Sequence, residues 1–315
     1  MRRLAIAPAA AAPALALLAA GAASAAPPWD AQRAMQHIVE LVKITPRSIG
    51  TPGHERAIDY IVRSLTDDPD ISVARQQWSE LRDDGTPLHL TNIIARLHPA
   101  RDRRVLLGTH YDSIVVAYKD PDARLRAAPM PGANNSASGV AVLLETARVL
   151  SHEPAFAGGV DFVFFDGEEG PLALGEGDPH WHALGSPHFA AHIDASYGGG
   201  SRPAVAVILD MVCKRDLRLK PEPNSLASAP SELHELWRIG QGINPAVFTD
   251  SAPSPPIGDD QVALARLGIP SLLLIDFDYH PWFNTTHDTP DKCSGASLRS
   301  VGLAISRFAG SYAAH

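Results

Sequence analysis

Apolar positions along the chain fall into two rhythms that take turns. Over 30–44, Met35, Ile38, Val39, Leu41 and Val42 recur at helical spacing before Pro46, and over 54–65 Ile58, Ile61, Val62 and Leu65 do the same. Both stretches predict amphipathic helices with one face turned to a core. Shorter apolar runs follow at 71–78, 90–97, 105–110, 160–165, 205–211 and 271–277. Several are apolar at nearly every position, as strands covered on both faces are in parallel sheets. Helical patterns at 139–150, 187–193, 231–239, 261–267 and 297–312 lie between and after them. Strands alternating with helices predict one α/β domain, over 27–315, with a mostly parallel central β-sheet flanked by helices.

The first 26 residues break this pattern. Arg2 and Arg3 precede an Ala-rich apolar stretch from Leu4 to Ala20, and Ala23-Ser24-Ala25 offers a small-residue cleavage site. That order predicts a signal peptide, hence an exported protein, periplasmic or secreted, with no membrane attachment after cleavage. Lys and Arg number 27 against 35 Asp and Glu, a net charge of −8. This acidic balance argues against nucleic acid as a partner, because phosphate contacts need a basic face. Cys213 and Cys293 are the only cysteines. An oxidising compartment would let them pair, and two free buried thiols fit the sequence equally well.

In open α/β sheets ligands bind beyond the carboxyl ends of the strands. The polar residues that close the apolar runs are therefore the candidates: His110 and Asp112, then Asp166, Glu168 and Glu169, then Asp210, and the stretch from Asp276. Two adjacent glutamates suit a division of labour, one ligating a metal while its neighbour moves a proton. No G-x-S-x-G elbow for a serine nucleophile and no G-x-x-x-x-G-K-[ST] phosphate loop occurs in the chain. Histidines at 180, 182, 188 and 192 read as surface residues of a loop and its following helix rather than as a metal site.

Five segments arrive in order: His110-Tyr-Asp112-Ser, Pro131-Gly-Ala-Asn134-Asn135-Ser-Ala-Ser-Gly139, Phe164-Phe-Asp166-Gly-Glu168-Glu169, Ile208-Leu-Asp210-Met, and Phe283-Asn284-Thr-Thr-His287-Asp288-Thr. The series resembles the zinc exopeptidase family that contains bacterial leucyl aminopeptidases and glutaminyl-peptide cyclotransferases. The long segment from Gly170 through His180-Trp-His182 to Ser186, and the Ile257-Gly-Asp259-Asp260-Gln261 element, are similar to the cyclotransferase branch. The resemblance implies that family's fold, one zinc ion, and peptide or protein N-termini as partners. It implies Glu168 as general acid/base and Glu169 as a zinc ligand, with Asp210 and Asp259 in a carboxylate network behind them. Alternatively, Asp210 joins His110 on a second metal, as in two-zinc aminopeptidases. A cyclase of this kind closes an N-terminal glutamine to pyroglutamate, Glu168 carrying a proton from the α-amine to departing ammonia; an aminopeptidase would use Glu168 to activate water.

Two positions depart from the family's pattern. Asn135 stands where the family has a ligand Asp, and Asn284 where it has a ligand His, so that of the three usual ligands only Glu169 remains. Zinc prefers imidazole nitrogen, thiolate or anionic carboxylate to a neutral amide. The expectation is a weakened or lost zinc site, unless His287, Asp288 or His280 substitutes. Two readings follow: an exported enzyme with an altered metal site, or a protein that keeps the pocket and binds peptides without turnover.

Overall fold

The six apolar runs pair into one six-stranded sheet. A computed structural model describes residues 28–81, 85–170, 181–198, 202–251 and 253–313. The expected signal peptide, and His180 in the segment after the glutamate pair, lie outside the described residues. The strands are β1 (Ile71–Leu81), β2 (Pro87–Leu97), β3 (Arg104–His110), β4 (Gly159–Phe165), β5 (Val205–Leu209) and β6 (Ser271–Leu274), in the order β1-β2-β4-β3-β5-β6. Pairs β4/β3, β3/β5 and β5/β6 are parallel, while β1/β2 and β2/β4 are antiparallel.

The helices are α1 (Ala31–Lys43), α2 (Pro52–Thr66), α3 (Ala137–Ser151), α4 (Gly185–Ala191), α5 (Ile193–Tyr197), α6 (Pro223–Ser228), α7 (Pro230–Ile243), α8 (Gln261–Ala265) and α9 (Gly295–Ala313). They cover both faces of the sheet. Along β4, Phe162 and Phe164 join the core formed with α1, α2, α3, α7 and α9, while Val163 and Phe165 join the one formed with α4, α5 and α8. β5 divides in the same way, Val205, Val207 and Leu209 against Ala206 and Ile208. With neither face wet, no position on these strands needs a polar side chain, hence the continuous apolar runs.

Element boundaries differ from expectation where local chemistry intervenes. β1 runs to Leu81 rather than 78, pairing residue for residue with β2. Its outer half alternates without a buried face, so hydrophobicity does not mark its end. β5 stops at Leu209, and Met211 turns to φ 46°, which takes the chain out of strand geometry where Asp210 enters the site. The helix expected over 187–193 is two short ones, broken at His192. Gly185 opens α4 against the end of β4, where a Cβ would lie 2.3 Å from the Asp166 carbonyl oxygen. That approach admits only glycine.

Cys213 and Cys293 form a disulfide, with Cα atoms 4.6 Å apart. It ties the chain just after β5 to the segment preceding α9. No helix among the described residues is long and apolar enough to cross a membrane.

Candidate active site

The carboxyl ends of β3, β4 and β5 converge on a cavity of about 400 Å³. Glu168, Glu169, Asp210, Asp259, Asn135 and Asn284 all line it. Asp112 organises the approach of the glutamates: its two carboxylate oxygens accept the backbone N–H groups of Glu168 (3.1 Å) and Glu169 (3.2 Å). The Gly167 turn that allows this has φ 68°, a conformation glycine adopts without penalty. Asp166 instead faces away from the cavity, accepting from His54 Nε2 at 2.8 Å and the Thr91 N–H at 2.6 Å. It is a latch between α2, β2 and β4, not part of the chemistry.

His110 lies at the back of the site, its Nε2 3.3 Å from Asp210 Oδ1 and its Nδ1 3.4 Å from Asp112 Oδ1. Glu168 Oε2 is 4.0 Å from the same Nδ1. Burial works to discharge this imidazole, but the hydrogen bonds to Asp112 and Asp210, with the Glu168 charge, hold its pKa well above the usual value. Burial, reinforced by Asp259 and Glu169, raises the Glu168 pKa well above the carboxylate range. Burial also lifts Glu169 to about 7, and burial with the neighbouring Asp210 and Asp260 raises Asp259. The cause is shared: several carboxyl groups leave water within one small volume.

The three positions of the family's single-zinc set are brought together, but they bind one another. Asn135 Nδ2 donates to Glu169 Oε1 at 2.6 Å and lies 3.5 Å from Asn284 Oδ1, while Asn284 Nδ2 donates to the Tyr118 hydroxyl at 3.1 Å. Asn284 sits at φ 55°, a region asparagine tolerates better than most residues. His287 is not brought to the site. Thr285 Oγ1 accepts the His287 N–H, Asp120 accepts the Thr286 N–H and hydroxyl, and Asp288 points inward, leaving the His287 side chain exposed. His280 is exposed as well. Asp288 is buried but serves the backbone: it accepts from the N–H groups of Asn134 (2.8 Å) and Asn135 (3.0 Å) and from Tyr279 Oη (2.7 Å). The residues present do not fit a zinc ion, since they offer one carboxylate and two neutral amides, one of which points an N–H at that carboxylate. Among the described residues no group of three or more His, Cys, Asp or Glu side chains is arranged to hold a metal.

Sequence reasoning passed over Tyr118, and it named Trp181, Asp260, Gln261, Phe283 and the aromatic stretch from Asp276 as parts of motifs without giving most of them a role. Tyr118, Trp181, Phe277 and Phe283 line the cavity from loops that carry no periodic pattern. Asp260, beside Asp259, is fully buried, and burial lifts its pKa to about 7 against the opposing effect of the Ser186 hydroxyl. Gln261, in the position of the cyclotransferase histidine, donates to the Ile257 carbonyl at 2.8 Å. His188 stacks between Trp78 (4.0 Å) and His192 (4.2 Å) on the outer side of α4, away from the cavity.

Residues 92–309 match the model of Peptidase family M28. The chain belongs to this family. Among M28-like relatives it is 28% identical over 290 residues to the glutaminyl-peptide cyclotransferase of Drosophila melanogaster, covering 85% of this chain and 78% of that one. It is 27% identical to a glutaminyl-peptide cyclotransferase-like protein of Bos taurus, covering 72% of this chain but 61% of the bovine protein's length. Two solved structures share the fold. A glutaminyl cyclase of Fimbriiglobus ruber superposes with a TM-score of 0.81 at 32% identity, covering 90% of this chain and 95% of that one. A Zn-dependent exopeptidase of Parabacteroides distasonis gives 0.82 at 26%, covering 91% and 99%. The chain is glutaminyl cyclase-like in fold and sequence.

Proposed function

We propose that this M28 protein is exported and receives the amino-termini of peptides in the cavity at the strand ends, binding them without a zinc ion. The observation that carries the reading is the composition of that cavity. The acids Glu168, Asp210 and Asp259 line it together with the aromatic rings of Trp181, Phe277 and Phe283. The oxygens of these acids accept hydrogen bonds from an α-ammonium, and the first side chain of a peptide packs against the aromatic rings. The leader sequence supports export, and the similarity to glutaminyl cyclases supports a glutamine at the ligand's first position.

Isothermal titration with a Gln-initiated peptide and its N-acetylated counterpart tests this. The free-amine peptide is expected to bind at least about tenfold more tightly, the counterpart having lost a charge-assisted hydrogen bond. Equal affinity for the two would remove the ammonium from the reading. The retained placement of Glu168 on the cavity favours a second reading in which slow cyclisation persists. Release of ammonia with pyroglutamate from the same peptide, abolished in Glu168→Gln, is the result that supports it.

A further inference from the structure

We infer that a hydrogen-bonded amide has replaced the metal at the centre of this site, and that the folded protein does not retain zinc there. Asn135 Nδ2 is the group at the junction of the three former ligand positions, 2.6 Å from Glu169 Oε1 and 3.5 Å from Asn284 Oδ1. A metal in that place would meet oxygen and nitrogen lone pairs; here the Glu169 oxygen already accepts a hydrogen bond from an amide N–H. The row continues outward as Asn284 Nδ2 to Tyr118 Oη at 3.1 Å. Carboxylate, amide, amide and phenol thus follow one another in a hydrogen-bonded row, while Asn135 Oδ1 stays buried outside it without a partner.

The charges change in the matching direction. An aspartate at 135 would place a further buried anion beside Glu169 that only a cation could offset. With asparagine there, a neutral amide stands beside Glu169, and the ring of His110 lies 3.3 Å from Asp210 and 3.4 Å from Asp112. The backbone frame that would carry metal ligands is intact, since Asp288 still fixes the N–H groups of Asn134 and Asn135. Two side chains, not the scaffold, therefore separate this site from a metal site.

The test is zinc retention, read by elemental analysis after loading and dialysis, together with the melting temperature with and without zinc. The unaltered protein is expected to hold well under about 0.1 zinc per chain, with a melting temperature that zinc does not move. Asn135→Asp combined with Asn284→His is expected to hold about one zinc per chain, and to melt several degrees higher with zinc than without it. Asn284→His alone, which adds no buried anion and so keeps the test open if the double variant does not fold, is expected to bind zinc at least about tenfold more tightly than the unaltered chain. Retention of about one zinc by the unaltered protein, lost in Glu169→Gln, would overturn the inference. So would failure of both folded variants to gain any affinity.

Discussion

Reducing the Cys213–Cys293 disulfide is expected to be the most costly single covalent change in the protein. The bond closes a loop of 80 residues, and the loss of that constraint on the unfolded chain corresponds to about 4.5 kcal/mol. For a chain of this size that is a fall of about 10 °C in melting temperature. The loop contains β6, α6, α7, α8 and the segment with Asp259 and Asn284. The Cys213 N–H donates to Asn134 Oδ1 at 2.9 Å and the Cys213 carbonyl accepts from the Ser294 N–H at 2.7 Å. Loosening this corner therefore reaches Asn134 and its neighbour Asn135. Differential scanning calorimetry of Cys213→Ala/Cys293→Ala against the oxidised parent measures the effect; a change under about 1 °C would show that the bond contributes little.

The second large effect is expected at Asp288. Its carboxylate takes three buried donors, two backbone N–H groups and the Tyr279 hydroxyl, and burial raises its pKa to about 6. Asp288→Ala strands all three donors at once, for about 3 kcal/mol or more, since buried unsatisfied donors cost about 1–3 kcal/mol each. Asp288→Asn keeps one acceptor oxygen and is expected to lose less. Because the stranded N–H groups belong to Asn134 and Asn135, peptide affinity should fall along with stability. Urea unfolding of the two variants gives the stability order, and an Asp288→Ala protein as stable as its parent would mean that the loop is held by other contacts.

The fold was legible where burial is complete. β3, β4, β5 and β6 show as apolar runs because both their faces are covered, α9 shows by an apolar stripe turned to the core, and α3 shows as a helix buried almost all round. α6 was not legible. Its six residues, Pro223–Ser228, carry no apolar stripe, and it is held by the Glu222 cap on the N–H groups of Asn224 and Ser225. The ends of β1 and β5 were set by pairing with β2 and by the turn at Met211, neither of which has a hydrophobic signature.

The candidate site divides in the same way. His110, Glu168, Glu169, Asp210, Asp259, Asn135 and Asn284 could be named from ordered motifs, and all converge. The orientation of the turn after Asn284 could not be read, because it depends on Asp120, an acid remote in sequence that accepts from Thr286 and leaves His287 in solvent. Nor could the meeting of Tyr118 and Trp181 with the aromatic stretch that follows β6, since the three come from segments far apart in the chain. What the two asparagines do to each other and to Glu169 is a matter of 2.6 and 3.5 Å contacts between residues remote in sequence, which no motif spacing records.

The most direct check is titration of a Gln-initiated peptide into protein stripped with EDTA, repeated after zinc is added back. If the amide row has taken the metal's place, both titrations give the same dissociation constant within about twofold. Binding that disappears on stripping and returns with one equivalent of zinc would contradict a metal-free site.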